Sequence, residues 1–238
     1  MGAVKLESVW VDYRPRLHSQ HHRRSVIWGL KDLSVAVSPG ERLAVIGANG
    51  AGKTTLLRAI NGVYSPSRGR VHVTGRVASV VALTPGLQRD LTGHENLRIL
   101  AALMGLGRSE LEEHYDEILD VAGLPSSALD QPLYTYSAGM TLRLHIGLVL
   151  GCAPDVLVID EVLALGDRAF QRRCLSKVGD LCLTGAAVTF ATHNLDLVID
   201  TADRVAVLDA GELAAIGPPQ EIVEWYRLVT SNGTNPDR

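Results

Sequence analysis

The chain has 238 residues, of which 46% are hydrophobic and 21% are charged, and its formal net charge is −3. This composition excludes a largely disordered chain and is sufficient for one sizeable core, with or without an inserted subdomain. Nothing in the weakly acidic charge balance suggests a nucleic-acid-binding surface, so we expect no nucleic-acid partner. The cysteines, Cys152, Cys174 and Cys182, share no metal-ligand spacing and are odd in number, which favours reduced thiols in the core.

The first segments of the chain are typical of two strands separated by a polar insertion. Residues 4–13 are rich in β-branched and aromatic side chains, residues 33–37 alternate apolar with polar, and both are predicted to be strands. Residues 14–24 contain three histidines and four arginines but no carboxylate or cysteine. This insertion is predicted to be a solvated loop, with a metal site as the alternative.

A phosphate-binding loop is predicted next. Residues 41–46 end in an apolar run typical of a buried strand, and residues 55–61 are predicted to form a helix. Between them, GANGAGKT matches the pattern G-x-x-x-x-G-K-[ST], whose backbone N–H groups hold phosphate oxygens. Lys53 would reach the β- and γ-phosphates, and the Thr54 hydroxyl would ligate Mg²⁺. The residues expected to bind a nucleotide here are Gly47, Ala48, Asn49, Gly50, Ala51, Gly52, Lys53, Thr54 and Thr55. A chance glycine-rich turn is the alternative, and the strand–loop–helix order disfavours it.

The middle of the chain changes from strands to helices. Residues 71–73 and 77–83 are predicted to be strands, and residues 91–150 follow as a largely helical block. Within this block, residues 109–112 match a capping box and begin a helix that Gly123 ends. The apolar stripe of that helix consists of Leu111, Tyr115, Ile118, Leu119 and Ala122.

Strands and helices alternate in the last third of the chain. Residues 156–159 form a continuous apolar run, which is typical of a central parallel strand buried on both faces. A helix is expected next, with an apolar stripe of Phe170, Cys174, Val178 and Leu181, followed by a strand at 186–191. A second helix then has an apolar stripe of Leu195, Val198, Ile199 and Ala202. The last expected elements are a hairpin of residues 205–208 with 213–216 and a helix at 218–229.

The order of these segments predicts an α/β fold with a P-loop NTPase core. We expect a mixed sheet flanked by helices, an antiparallel N-terminal β part, and an inserted α-helical subdomain. The domain prediction is a single nucleotide-binding domain over residues 1–238. Its core would comprise residues 1–86 and 154–238, and its helical subdomain residues 87–153.

Two adjacent carboxylates, Asp160 and Glu161, stand directly after the apolar run 156–159. Burying such a pair without a cation is costly, which favours a functional role. In P-loop hydrolases an aspartate at this place holds Mg²⁺, and here it would lie opposite Thr54. The glutamate would orient the attacking water or accept its proton. The pair favours hydrolysis over a small-molecule kinase, which needs an acceptor site instead.

No segment of the sequence is predicted to cross a membrane. The N-terminus has no apolar region of the signal-peptide type. The most apolar long segment, residues 142–159, is interrupted by Arg143, His145, Pro154 and Asp155. We therefore expect any membrane role to depend on a partner.

A second motif, YSAGM at residues 136–140, precedes a predicted helix at 141–150. Taken alone, it is a helix that Ser137 caps. Together with the phosphate loop and the carboxylate pair, it resembles the signature motif of ATP-binding cassette (ABC) ATPases, usually LSGGQ. The resemblance implies that Ser137, Ala138 and Gly139 close on the γ-phosphate of ATP bound by a second copy of the chain.

Other segments match the same family. Residues 164–167 resemble the D-loop that crosses the dimer interface, and His193 resembles the switch histidine that contacts the γ-phosphate. Tyr13 resembles the aromatic residue that stacks on adenine, with Trp10 and Trp28 as alternatives.

The family also carries a glutamine where the core meets the helical subdomain. In this chain the glutamine of that region, Gln88, stands several residues later than the usual position. Its role as the Q-loop glutamine stays open.

Residues 91–96 and 160–174, with the signature motif, resemble the ATPase subunits of polysaccharide exporters for O-antigen, teichoic acid, capsule or galactan. The resemblance implies an ATP hydrolase that uses Mg²⁺ and lies peripherally at the cytoplasmic face of the membrane. Its partners would be a second copy of itself and integral-membrane permease subunits on a separate chain. The alternatives are an ABC transporter ATPase for another cargo, a soluble ABC ATPase acting on ribosomes or DNA, and a degenerate cassette that binds ATP without hydrolysis.

Overall fold

The computed structural model describes residues 2–13, 26–80, 86–161 and 166–231. The strands in these ranges are β1 (Ala3–Tyr13), β2 (Ile27–Val37), β3 (Arg42–Ile46), β4 (Arg68–Thr74), β5 (Val77–Val80), β6 (Val156–Asp160), β7 (Ala187–Ala191), β8 (Arg204–Asp209) and β9 (Glu212–Gly217). The α-helices are α1 (Lys53–Ile60), α2 (Gly93–Leu103), α3 (Arg108–Glu113), α4 (Tyr115–Ala122), α5 (Ala138–Gly151), α6 (Arg168–Leu183), α7 (Leu195–Thr201) and α8 (Pro219–Ser231). The polar insertion at 14–24, part of the predicted strand 77–83, and half of the predicted D-loop lie outside the described residues.

A six-stranded mixed sheet forms the centre of the molecule, in the order β5-β6-β7-β3-β8-β9. Its first five strands run parallel, and β9 pairs antiparallel with β8. Strand β6 pairs on both sides, and Val156, Leu157, Val158 and Ile159 are all buried, which confirms the central strand predicted from its unbroken apolar run. The carboxyl ends of the parallel strands meet at one edge, where α/β sheets bind their ligands.

A three-stranded antiparallel sheet, in the order β2-β1-β4, covers one face of this core. Its inward residues include Val4 and Leu6 of β1, which share a hydrophobic cluster with residues of α1, β3 and β6. Helices α5, α6 and α8 pack on the opposite face, where Phe170 of α6 is 1% exposed. The predicted mixed sheet with an antiparallel N-terminal part is therefore confirmed.

The helices between β5 and β6 have a hydrophobic cluster of their own. Its fully buried members include Leu97 of α2, Ile118 of α4 and Leu144 of α5. Helix α5 also contributes Ile146 and Val149 to the cluster under the main sheet, so it joins the helical block to the core.

One prediction within this block is wrong. Residues 109–112 do not form a capping box, because α3 begins at Arg108 after Gly107, whose position has no side-chain cap. The apolar stripe also spans two helices, since the chain is interrupted at His114 between α3 and α4. The capping box of this region is at α2, where Thr92 accepts the Glu95 N–H and Glu95 accepts the Thr92 N–H.

The thiols, the metal-ligating side chains and the lengths of the helices are the remaining features of the described residues. All three cysteines are free thiols, and Cys152 and Cys174 are buried. Within the described ranges, no cluster of three or more metal-ligating side chains is present. No helix in the part of the chain that the structure describes has both the length and the apolar character of a membrane span.

Candidate functional site

Segments after three parallel strands line one cleft of about 490 Å³. They are the loop between β3 and α1, the carboxylate pair at the end of β6, and the residues after β7. The cleft is lined by Tyr13, Ile27, Trp28, Gly29, Asn49, Gly50, Gly52, Lys53, Thr54, Thr55, Asp160, Glu161 and His193. The volume is within the range of small-molecule sites in proteins.

The loop makes its final turn into α1 at Gly52. This residue has φ 105°, a left-handed conformation that residues with a side chain rarely adopt. A Cβ atom there would lie 2.7 Å from the Gly29 carbonyl oxygen of β2. Glycine is therefore required at this position for conformational and steric reasons.

Backbone hydrogen bonds from distant segments hold the same turn. The Gly211 N–H, in the β8–β9 turn, donates to the Ala51 carbonyl over 3.0 Å. In turn, the Lys31 N–H of β2 donates to the Gly211 carbonyl over 2.8 Å. The phosphate loop is thus fixed by β2 and by the hairpin turn. Neither contact has a local sequence signal, because the partners are far apart in the chain.

Lys53 lies beneath the loop with only 7% of its surface exposed. Its ammonium donates to the carbonyls of Gly47 and Ala48 over 2.7 and 2.9 Å. Burial lowers the pKa of this ammonium, while the negative charges of Glu161 and Asp160 oppose that shift. The ammonium is thus hydrogen-bonded to the two residues that begin the loop.

Thr54 and Asp160 meet across the cleft, as the sequence predicts for a shared metal site. The Thr54 hydroxyl donates to the Asp160 carboxylate over 3.0 Å. Both groups are hard oxygen ligands, which are the ligands that Mg²⁺ prefers. The two side chains fit the donor set expected for this ion.

Glu161 and His193 form the other polar pair of the cleft. The His193 Nε2 lies 2.8 Å from the Glu161 Oε1, and the two side chains remain 52% and 53% exposed. Glu161 has φ 52°, and its N–H donates to the Ala191 carbonyl of β7 over 3.0 Å. The carboxylate is therefore directed into the cleft by a left-handed backbone that the neighbouring strand fixes.

Aromatic residues also line the cleft. Tyr13 packs edge-on against Tyr64, with ring centroids 5.5 Å apart, and its hydroxyl is hydrogen-bonded to that of Thr55. Trp28 packs edge-on against Trp10 at 5.0 Å. Tyr13 and Trp28 both contact the cleft, whereas Trp10 is not among its lining residues in the described ranges.

The predicted signature motif stands away from this cleft. Ser137 caps α5, its hydroxyl accepting the Met140 N–H over 3.1 Å, and Ala138 and Gly139 are exposed beside it. None of the three lines the cleft that the described residues form. Asp167, the last residue of the predicted D-loop, forms an ion pair with Arg143 of α5 over 2.5 Å.

Gln88 is likewise exposed and absent from the cleft lining in the described ranges. Its backbone is held by the fully buried side chain of Asn96, which accepts the Gln88 N–H over 2.7 Å. The Asn96 amide also donates to the carbonyls of Gln88, Leu91 and Thr92. Asn96 is a structural residue that sequence reasoning did not single out.

A phosphate-binding loop, a carboxylate pair and a histidine, meeting at the carboxyl edge of one parallel sheet, define a P-loop nucleotide-binding domain. Residues 30–164 match the model of the ABC transporter family. The chain belongs to this family, in agreement with the resemblance of its motifs.

The chain is similar to proteins named for the export of O-antigen or teichoic acids and to one named as an ABC transporter protein. It is 38% identical over 198 residues to the O-antigen export system ATP-binding protein RfbB of Klebsiella pneumoniae, covering 83% of this chain and 80% of RfbB. It is 37% identical over 200 residues to the teichoic acids export ATP-binding protein TagH of Lactiplantibacillus plantarum, covering 84% and 54%. It is also 38% identical over 201 residues to the ABC transporter protein AbcA of Aeromonas salmonicida, covering 84% and 65%. The match thus spans from about half to four fifths of these relatives.

Solved structures share the fold. An ATP-binding subunit of an ABC transporter superposes with a TM-score of 0.78 at 25% identity, covering 94% of this chain and 93% of that one. The dimeric ATP-binding cassette MJ0796 bound to ADP and Pi has a TM-score of 0.76 at 20% identity, covering 91% and 98%.

Proposed function

We propose that the chain is the ATP-hydrolysing subunit of an ABC exporter that moves a lipid-linked cell-surface polysaccharide across the cytoplasmic membrane. The observation that carries the hydrolytic part is the convergence of Lys53, Thr54, Asp160, Glu161 and His193 on one cleft. The cargo is supported by the names of the relatives, which are O-antigen and teichoic acid export proteins.

The phosphate end of the cleft would bind the triphosphate. The N–H groups of residues 47–55 and the positive end of α1 attract phosphate oxygens, and Lys53 adds a buried cation. Thr54 and Asp160 would hold Mg²⁺ between them. When bound, this ion would neutralise charge on the phosphates.

The pair of Glu161 and His193 would act on the attacking water. Glu161 is the candidate general base, since its carboxylate lines the cleft and lies within hydrogen-bond distance of His193. His193, 2.8 Å away, would orient that carboxylate and contact the γ-phosphate. Both side chains are about half exposed, so one copy alone does not shield the reaction from bulk water.

A second copy would complete the site. Ser137, Ala138 and Gly139 carry the free N–H groups at the start of α5 and are exposed away from their own cleft, as a motif acting on the partner's nucleotide requires. The helical subdomain, residues 87–153, would transmit closure to permease subunits on another chain. The protein would then lie peripherally at the cytoplasmic face of the membrane.

ATP turnover tests the hydrolytic role. We expect Glu161→Gln to lower kcat at least about a hundredfold while ATP still binds, because the amide cannot accept the proton of water. Lys53→Ala should instead weaken ATP binding. Glu224→Gln, an exposed change on α8, is the matched control and should behave as the wild type. Normal turnover by Glu161→Gln would contradict the assignment of the general base.

The cargo is tested in the assembled complex with its permease. A lipid-linked glycan should stimulate ATP turnover of the reconstituted complex, and the same glycan without its lipid should do so less. Stimulation by a drug or small solute, and none by the glycan, would contradict a polysaccharide cargo and leave the ATPase role standing.

A further inference from the structure

We propose that Tyr13 is a positioning residue, whose hydroxyl holds the Thr55 side chain at the first turn of α1. The inference rests on the proposed function, since it assumes that the cleft binds ATP. It gives the Tyr13 hydroxyl a role that stacking on a base does not need.

The contact joins two distant parts of the chain. Tyr13 is the last residue of β1, in the antiparallel sheet, and Thr55 lies in the first turn of the helix that follows the phosphate loop. Their hydroxyls share a hydrogen bond, and Thr55 is only 6% exposed. A buried hydroxyl that loses its hydrogen-bond partner destabilises the protein, because the free-energy cost of removing that hydroxyl from water is no longer offset. The phenol therefore fixes the rotamer of a side chain that lines the phosphate end of the cleft.

The approach of the Tyr13 ring depends on Gly29. A Cβ atom on Gly29 would lie 2.7 Å from the Tyr13 Cε2 and 2.9 Å from the Thr55 Cγ2. Both distances are far below van der Waals contact. Because Gly29 has no side chain, β2 leaves the space through which the Tyr13 ring reaches α1.

A second aromatic residue supports the ring from outside the cleft. Tyr64 meets Tyr13 edge-on at an interplanar angle of 83°. Its hydroxyl accepts from the Arg58 guanidinium over 3.0 Å, and that guanidinium lies 5.8 Å from the Tyr64 ring centroid. Arg58 stands three residues after Thr55, on the same side of α1. The tyrosine pair is thus attached to α1 at both Thr55 and Arg58.

The two roles of Tyr13 make different demands. A base-stacking platform needs the ring and not the hydroxyl, whereas positioning of Thr55 needs the hydroxyl. Tyr13→Phe keeps the ring and removes only the hydrogen bond. Thr55→Val removes the same bond from the other side with little change of shape, and Thr55→Ser retains a hydroxyl.

A double-mutant cycle on ATP binding and turnover separates these roles. We expect Tyr13→Phe and Thr55→Val each to raise the KM for ATP about two- to tenfold, the range for one lost hydrogen bond. The KM of the double variant should be no higher than that of the single variant with the higher KM. The kcat should change less than about twofold in Tyr13→Phe, because Glu161 and His193 lie outside the contact, and Thr55→Ser should restore most of the affinity. Tyr134→Phe, which removes an exposed phenol from the helical block, is the control.

Wild-type affinity in Tyr13→Phe, or additive losses in the double variant, would overturn the inference and leave Tyr13 at most a platform. Failure of the proposed function has a different result: the wild type itself would then neither bind nor hydrolyse ATP.

Discussion

Asp160 and Glu161 face the same cleft because of one residue's backbone. Side chains of consecutive strand residues point to opposite faces, so two adjacent carboxylates at the end of β6 would normally diverge. The left-handed conformation of Glu161, at φ 52°, breaks this alternation. Such a conformation costs a residue with a side chain about 1–3 kcal/mol, and it is typical of functional positions. The strain thus supports a chemical role for this carboxylate.

The burial of the cysteines predicts how fast their thiols react. Burial raises the pKa of Cys152, Cys174 and Cys182 to about 11 each, and the thiolate is the reactive form. In the native protein at pH 8, we expect Cys152 and Cys174 to react with a disulfide reagent about a hundredfold more slowly than in urea. The partly exposed Cys182 should react first, and Cys182→Ser identifies it. Fast native labelling of Cys152 or Cys174 would contradict the buried assignment.

At the scale of single elements, two segments share the sequence pattern of a capping box, but only one of them forms it. Thr92 forms a capping box at α2, with its N–H donating to Glu95 over 2.8 Å, whereas Ser109 lies inside α3 and makes no cap. We expect Thr92→Ala to lower the free energy of unfolding by about 1 kcal/mol. Ser109→Ala should leave it nearly unchanged. Urea unfolding measures both, and equal losses would contradict the cap assignment.

These caps also indicate how far the sequence predicts the elements. Residues 92–95 and 109–112 both fit the four-residue pattern of a capping box. Only the fold selects between them, because the start of a helix depends on which apolar residues pack. Where one local feature dominates, prediction succeeds: the unbroken apolar run of β6 and the left-handed Gly123 that ends α4 are both as expected.

In the candidate site, too, local motifs can be predicted from the sequence, whereas contacts between distant segments cannot. The phosphate loop and the pair Asp160–Glu161 are contiguous motifs with a strand before them, so they can be recognised in the sequence, and in the structure residues of both line one cleft. The supports of the loop, Gly211 and Lys31, come from segments far away in the chain. Such contacts depend on strand order, which no local pattern encodes.

At the scale of the whole molecule, the parallel sheet brings the polar residues of the cleft together and leaves the side chains of Glu161 and His193 about half exposed. Strands β3, β6 and β7 end at one edge of the sheet. The phosphate loop, the carboxylate pair and His193 therefore meet in one cleft, although they are far apart in the sequence. The exposed start of α5 stands outside this cleft. The proposed mechanism therefore requires that two copies combine, each supplying the phosphate loop to one site and the Ser137–Gly139 turn to the other.

The most direct test of this account is the mass of Glu161→Gln in solution, measured by light scattering with and without ATP. We predict a monomer without nucleotide and a stable dimer with ATP, because binding persists while hydrolysis is blocked. Gly139→Asp in the same background should prevent that dimer by placing a negative charge against the partner's phosphates. Its own fold should be retained, since the space beside Gly139 is open apart from the Ser137 hydroxyl at 3.8 Å. A Glu161→Gln chain that binds ATP and stays monomeric, alone and with its permease, would contradict the shared-site mechanism.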